Sequence, residues 1–280
     1  MPSIQESLRA AAQQLSASSD SARLDAEVLL AFVLQCSRTY LFTWPEKTLA
    51  SEPQAQFEAL VRARQNGKPI AYLTGQQEFW SLPLHTAPDT LIPRADTELL
   101  VETALQLPVS DRARVLDLGT GTGAIALAIA SEKPDWVVTA VDKMPGAVTL
   151  AARNSEALQL PIQVLQSDWF SALSREPGFD IIVSNPPYIA ADDLHLAQGD
   201  VRFEPASALT AGADGLDDIR LIATQARDYL TPGGWLLVEH GWQQASDVQA
   251  LFTEAGFAGV RSEKDLAGHD RITLGRFTFE

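Results

Sequence analysis

Cysteine, histidine and positive charge are all scarce in this chain, and each shortage excludes a class of function. A single cysteine, Cys36, in 280 residues rules out an internal disulfide and the disulfide-stapled scaffolds of small secreted domains. Its setting in Val33-Leu34-Gln35-Cys36 reads as a buried packing role rather than a reactive thiol. The four histidines, His85, His195, His240 and His269, lack metal-ligand spacing, so no metal is expected. No apolar run is long enough to cross a bilayer. The start, Met1 to Ser7, has no basic stretch leading into an apolar core, so neither a membrane span nor a signal peptide is expected, and the chain reads as cytoplasmic. Lys and Arg number 21 against 36 Asp and Glu, a net charge of −15. The first 75 residues balance seven basic against seven acidic side chains, so the whole excess falls on the remainder. A duplex-DNA-binding protein needs a cationic face to neutralise phosphates. Direct nucleic-acid binding is therefore not expected, whereas a basic protein partner would be attracted by the same field.

What is present is a set of strand ends carrying polar groups. The buried run Phe179-Asp180-Ile181-Ile182-Val183-Ser184 stops at Asn185-Pro186-Pro187-Tyr188. Neither proline can donate a ladder hydrogen bond and each fixes its own φ, so the strand end becomes a rigid shelf. An amide side chain, a backbone carbonyl without a strand partner and an aromatic ring on that shelf can hold a planar NH2 group. Methyl transfer to a planar nitrogen needs such a grip, because both N–H bonds must be accepted and the lone pair freed from conjugation. Asn-Pro pairs are also ordinary turn formers, so the rest of the chain has to decide.

Upstream, Arg114-Val115-Leu116-Asp117-Leu118 runs into Gly119-Thr120-Gly121-Thr122-Gly123 and a helix from Ala124 to Ala130. Strand, glycine-rich turn and helix open a nucleotide-binding α/β unit. The glycines alternate as G-x-G-x-G instead of the dinucleotide spacing G-x-G-x-x-G. Asp117 would repel a pyrophosphate but suits the ammonium end of S-adenosylmethionine. The next strand, Trp136 to Val141, ends at Asp142, placed to accept from a ribose diol. A third, Ile162 to Gln166, leads to Ser167-Asp168-Trp169, where Asp168 could accept from an adenine amino group while Trp169 packs on the ring.

In that order, Gly119 to Gly123, Asp142, Asp168-Trp169 and Asn185 to Tyr188 resemble the class I S-adenosylmethionine-dependent methyltransferases that modify amide or exocyclic nitrogen. Glu78 to Leu84, Leu91-Ile92-Pro93-Arg94, Asp96-Thr97-Glu98, Phe203-Glu204-Pro205 and Glu239-His240-Gly241 are similar to the release factor glutamine N5-methyltransferases, PrmC or HemK, over nearly the whole chain. One departure is Ala95, where that family usually has a second proline. The resemblance implies a methyl group moved from S-adenosylmethionine to the side-chain amide of a glutamine in peptide chain release factors. Asp117, Gly119, Thr120, Gly121, Thr122, Gly123, Asp142, Asp168, Trp169 and Asn185 are expected to bind the methyl donor. Asn185, Pro186, Pro187 and Tyr188 should hold the acceptor. Asn185 Oδ1 and the Pro186 carbonyl would each take one amide N–H, and Tyr188 would pack on the flat carboxamide. Glu204 and His240 read as supports of the pocket wall.

The expected fold is α/β: a small helical bundle over residues 1–75, a β-hairpin linker over 76–93, and a Rossmann-like methyltransferase domain over 94–280. Helical spacing runs from Ile4 to Leu15 and from Leu24 to Gln35, and Ser51 with Gln54 reads as a capping pair opening a helix stopped by Asn66-Gly67 and Pro69. The helical part reads as a docking module. Asp96 or Thr97 is expected to cap the helix leading into the sheet. Later helices are read at Ala147 to Leu158, Leu216 to Leu230 and Gln244 to Ala255, with a turn at Thr231 to Gly234 before the strand Trp235 to Glu239. Such alternation means a parallel sheet covered on both faces. The last two runs, Gly259 to Glu263 and Arg271 to Phe277, are joined by too few residues for a parallel crossover and should pair antiparallel. A monomer is expected. The leading alternative is an adenine N6 methyltransferase, which would use the same Asn-Pro-Pro-Tyr grip on nucleic acid. A nicotinamide-dependent dehydrogenase is disfavoured by the glycine spacing, and a silent binding protein by the intact shelf.

Overall fold

The structure, a computed structural model, describes residues 1–197 and 199–278. The chain forms two compact units, one of Met1–Gln76 with His195–Phe203 and one of the remaining residues.

The first unit is helical. α1 (Ile4–Leu15) opens with a capping box in which Ser3 and Glu6 satisfy each other's backbone N–H. α2 (Ala22–Leu34), α3 (Arg38–Thr43), α4 (Ser51–Gln65) and α5 (Ile70–Thr74) follow. α3 and α5 are too short to show a helical period, so the pattern of apolar residues does not announce them. Ile4, Leu15, Leu29, Leu30, Leu41 and Phe57 form the core. Cys36 packs against it half-buried, less enclosed than expected. Ser51 does not cap α4: the cap position is Ala50, and Gln54 instead accepts from the Ser7 hydroxyl at 2.9 Å. His195–Phe203 joins this unit through Arg64, which bridges Asp25 and Asp200 at 2.7 Å each.

A hairpin follows, β1 (Gln76–Phe79) and β2 (Leu82–His85), which belongs to the second unit from Gln77 on. Its turn residues Trp80 and Ser81 both lie in the left-handed region, at φ 53° and 59°, which two-residue hairpin turns demand. Glu98 Oε1 accepts from the Trp80 backbone N–H, and Glu132 Oε1 from its indole N–H, both at 2.8 Å. These bonds tie the turn to two helices.

α6 (Glu98–Leu105) leads to β3 (Arg114–Leu118), α7 (Ala124–Glu132), β4 (Val137–Asp142), α8 (Pro145–Leu158), β5 (Gln163–Gln166) and β6 (Phe179–Ser184). α9 (Asp217–Ala226), β7 (Leu230–Glu239), α10 (Ala245–Glu254), β8 (Phe257–Lys264) and β9 (Asp270–Phe277) complete the chain. The sheet order is β5-β4-β3-β6-β7-β9-β8, with β9 antiparallel to both β7 and β8 and the other pairs parallel. This is the mostly parallel sheet with a final antiparallel hairpin that the alternation of elements predicts. Alternate strand residues feed two cores. Val115, Ile181, Val183 and Leu237 pack with α6 and α7, while Leu116, Ile182, Leu236 and Val238 pack with α9 and α10. Burying each such side chain is worth roughly 1.5–3 kcal/mol.

Two further expectations are corrected. α9 ends at Ala226, four residues early, and the expected turn Thr231 to Gly234 lies inside β7. There it forms the irregularity between the pairs Phe179↔Leu230 and Ile181↔Trp235. Neither Asp96 nor Thr97 caps α6 through its side chain, because a turn of 3-10 helix, Ala95–Thr97, precedes it.

Candidate active site

The chain runs outward from β3 to β4 and β5 and returns on the other side of β3 as β6, a reversal that opens a crevice at the strands' carboxyl ends. Register aligns those ends. Leu118 pairs with Ser184 and with Val141, and Asp142 with Gln166. The residues just beyond each pair, Gly119, Asn185, Asp142 and Ser167, therefore start side by side. Ser184 Oγ clamps the junction by donating to the Leu118 carbonyl at 2.9 Å.

Below the glycine loop, Asp117 is fully buried. Its Oδ2 accepts from the Thr120 hydroxyl at 2.5 Å, while Oδ1 has no hydrogen bond. Burial pushes this carboxyl up to about 7, against the Thr120 bond that favours its charge. The unmet Oδ1 is an acceptor that an ammonium group fits. Gly123, at φ 84°, precedes α7, and a Cβ there would lie 3.2 Å from that of Ala151, so a side chain at this position would be strained by the backbone and crowded against α8.

Asp142 stands with Oδ2 on the Gly121 N–H and Oδ1 on the Met144 N–H, both at 2.9 Å. Each oxygen keeps a lone pair for a diol. Asp168 is exposed and pairs with Lys143 at 2.9 Å. Trp169 holds a left-handed φ of 51°, costly for a non-glycine residue. Its ring lies over Gly119, 3.5 Å from where a Cβ would stand. Its indole N–H donates to the half-buried Asp218 of α9, whose pKa burial raises. Asp218 escapes a reading of the sequence, because an acid in the first turn of a helix looks like an ordinary dipole partner.

At the shelf, Asn185 Nδ2 donates to Thr97 Oγ1 at 3.1 Å, leaving Oδ1 free of that contact. Pro186 is buried behind it. The Tyr188 hydroxyl donates to Glu239 Oε1 at 3.3 Å, and the Tyr188 carbonyl accepts from Gln244 at 3.0 Å. Burial lifts the Tyr188 phenol further, beyond its already basic range.

These elements surround a cavity of about 300 Å³. Gly119 to Thr122, Asp142, Asp168, Trp169, Asn185 and Pro187 line it, together with Phe79, Thr97, Arg94 and Asp218. Asp117, Gly123, Pro186 and Tyr188 are not among the lining residues. Tyr188 packs instead against the core beside α9 and α10. Glu204 has a fully buried carboxylate that accepts from the Ile92 N–H and the Arg94 guanidinium, holding the lining segment in place. His240 engages Gly241 O and Thr273 Oγ1 with its two ring nitrogens, at 2.9 and 2.8 Å, which makes it a brace.

Asn154 of α8 carries no sequence signal either. It is fully buried, donates to the carbonyls of Thr122 and His85 at 2.8 and 3.0 Å, and accepts from the His85 N–H at 2.8 Å. Asn154→Ala leaves three backbone groups unpaired and should cost about 2–4 kcal/mol in chemical denaturation. A loss below about 0.5 kcal/mol would show that the loop does not depend on this amide.

Residues 6–75 match the PrmC N-terminal domain family, and residues 94–213 the methyltransferase small domain family. The release factor glutamine methyltransferase of Shewanella oneidensis is 54% identical over 275 residues, 98% of this chain and 96% of that protein. The protein of the same name from Salmonella typhimurium is 57% identical over 262 residues, covering 93% and 94% of the two chains. Among solved structures, a methyltransferase from Pyrococcus furiosus superimposes with a TM-score of 0.55 at 18% identity, over 79% of this chain and 98% of that one, a likeness of fold.

Proposed function

This chain belongs to the release factor glutamine methyltransferases, and from that premise we propose how its residues share the work. It is an S-adenosylmethionine-dependent enzyme that methylates glutamine in peptide chain release factors, and the relatives' shared name favours this over an adenine methyltransferase. The atom modified is the side-chain amide nitrogen, N5.

The methyl donor fits the cavity on two counts, the doubly anchored Asp142 for a diol and the Trp169 ring beside Gly119 for a flat base. Asp117, buried beneath the glycine loop that lines the cavity, adds from below a negative charge suited to an ammonium. Gly119 to Gly123 bring the backbone close, and Asp168 accepts from an amino group at the base edge. When bound there, S-adenosylmethionine supplies a methyl carbon, activated by its sulfonium, that the glutamine nitrogen takes by in-line displacement.

The observation that carries the acceptor side is the direction of Asn185. With Nδ2 committed to Thr97, Oδ1 remains to accept one N–H of the substrate carboxamide, and the Pro186 carbonyl accepts the other. Two acceptors on one NH2 turn its lone pair out of conjugation, an arrangement worth most in the transition state. Pro187 walls the pocket. Tyr188, rooted on Glu239, supports the shelf from behind and excludes water, a more indirect role than packing on the substrate. Once methylated, the nitrogen is strongly acidic and releases its proton without a dedicated base.

The helical residues 1–75 dock the release factor, and the protein works as a cytoplasmic monomer without binding nucleic acid directly. No helix among the described residues is long and apolar enough to cross a membrane. Incubation with labelled S-adenosylmethionine should label a release factor and spare a version whose acceptor glutamine is alanine. Label on both versions would reject the site of modification, and label on DNA instead would favour the adenine alternative.

A further inference from the structure

The loop that follows β7 carries an aromatic ring that the reaction scheme leaves unused. Trp242 is 53% exposed. Register places it on the acceptor side of the crevice: Ser184 pairs with Val238, so Glu239 stands level with Asn185. Trp242 lies three residues further on, at a distance from the shelf on the order of 10 Å. Gln244 staples the same loop to the shelf, its Nε2 donating to the Tyr188 carbonyl at 3.0 Å and its Oε1 accepting from the Gly241 N–H at 2.8 Å. From the turn between β8 and β9, His269 props the ring at 5.2 Å between centroids, tilted 45°. The ring is held without being covered.

The other tryptophans show what this one lacks. Lys47 lies over Trp44, Lys133 over Trp136, and both Arg261 and Arg276 over Trp235, between 5.4 and 5.9 Å from the ring centroids. Trp80 donates its indole N–H to Glu132, and Trp169 lines the cavity. Among the described residues, Trp242 alone of the six has no cation over its ring, no hydrogen bond from its indole and no place in the cavity. Its surroundings do not supply a cation either. Arg220 is shared by Asp214 and Asp217, and Arg271 by Asp96 and Asp265, so each of these cations is outnumbered by acids. The Asp214 carbonyl accepts from Gln244, and the Asp265 carboxylate from the His269 N–H, which sets both acids beside the loop and its prop.

We propose that Trp242 is a recognition residue for the release factor: its open face receives a lysine or arginine side chain from beside the acceptor glutamine and so helps to seat the glutamine at Asn185. The proposal rests on the reading of a release factor as the substrate. A cation over an aromatic face is held by the ring quadrupole, and tryptophan is the strongest of the rings. The surplus acids around the loop pull in the same direction and favour encounter with a basic partner. An apolar occupant would gain nothing from those acids, and an acidic one would be repelled by them and by the ring face. The contact lies beside the reacting centre and stays the same as the methyl group moves, so its loss weakens substrate binding and transition-state binding alike: KM rises and kcat holds.

The test uses the full-length enzyme and intact release factor, with Trp242→Ala, Trp242→Leu and a series of fluorinated tryptophans inserted at position 242 by nonsense suppression. Melting temperature and calorimetric S-adenosylmethionine binding are followed beside kcat and KM. Trp242→Ala should raise KM for the release factor about 5- to 30-fold. Its kcat and donor affinity should stay within about threefold of wild type. Trp242→Leu, apolar but without a ring face, should lose nearly as much. Each added fluorine drains the negative face at almost constant shape, so KM should climb step by step along the series. An unchanged KM in Trp242→Ala would overturn the proposal. A wild-type KM in Trp242→Leu or throughout the fluorinated series would also overturn it, by showing an apolar contact in place of a cation. Should the truncated variants fail to fold, the fluorinated rings, which keep the shape of the side chain, still decide. A wild type that leaves the release factor unlabelled would instead sink the functional reading beneath it.

Discussion

Replacing Asn185 by alanine should reduce methyl transfer about a thousandfold while S-adenosylmethionine still binds within about threefold of the wild-type Kd. The asymmetry follows from what the side chain touches. Its nitrogen is fixed on Thr97 at 3.1 Å, and its oxygen is left for the acceptor amide. Removing one preorganised partner of a reacting group costs about 10²–10³ in kcat, and here the loss also releases the orientation of the nitrogen lone pair. Cofactor contacts assigned to the glycine loop, Asp142 and Trp169 lie on other strand ends and survive. Single-turnover transfer measured beside calorimetric titration separates the two effects, and equal losses in both would mean that Asn185 serves donor binding instead.

Asp117→Asn should stabilise the unliganded enzyme and cripple it together. In the folded protein burial raises the Asp117 carboxyl to about 7, from 3.8 in an ordinary setting. The folded state thus holds this proton more tightly than the unfolded chain does. Its contribution is neutral below the unfolded pKa, turns unfavourable as pH rises from about 4 to about 7, and is constant above that. At pH 8 the isosteric asparagine avoids that burial cost, a gain on the order of 2–4 kcal/mol, since each tenfold change in proton affinity is worth about 1.4 kcal/mol. The melting temperatures of variant and wild type should converge near pH 4. The same change removes the negative charge assigned to the donor's ammonium, so S-adenosylmethionine affinity should fall at least about tenfold, equivalent to about 1.4 kcal/mol. A variant that melts no higher at pH 8, or that binds the donor as well as wild type, would contradict these roles for Asp117.

Both variants concern residues visible in the sequence, and the reason is local. Asp117, Gly119 to Gly123, Asp142, Asp168-Trp169 and Asn185 all follow short apolar runs directly, so reading where each strand stops reads the rim of the crevice. Register then brings those rims together within a residue of one another. The supports are hidden because their partners are remote. Asn185 meets Thr97 at a separation of 88 positions, Tyr188 meets Glu239 at 51, and Asn154 meets His85 at 69. No periodicity encodes such pairings. Thr97 shows the ambiguity in a single residue, since a threonine before an apolar helix looks like a cap, yet its hydroxyl belongs to the shelf. The segment Thr231 to Gly234 misleads in the opposite way, because a Pro-Gly-Gly run looks like a turn and the sheet absorbs it as an irregularity of β7.

The placement of β9 between β7 and β8 has a consequence for how this protein behaves in a crowded solution. It leaves β5 and β8 as the rims of the sheet. One is only four residues long, and the other carries Arg261, Glu263 and Lys264 and breaks register twice against its neighbour. Short, charged or kinked borders present poor templates for recruiting strands from other molecules, so the sheet that carries the chemistry is guarded against fibrous self-association at both margins.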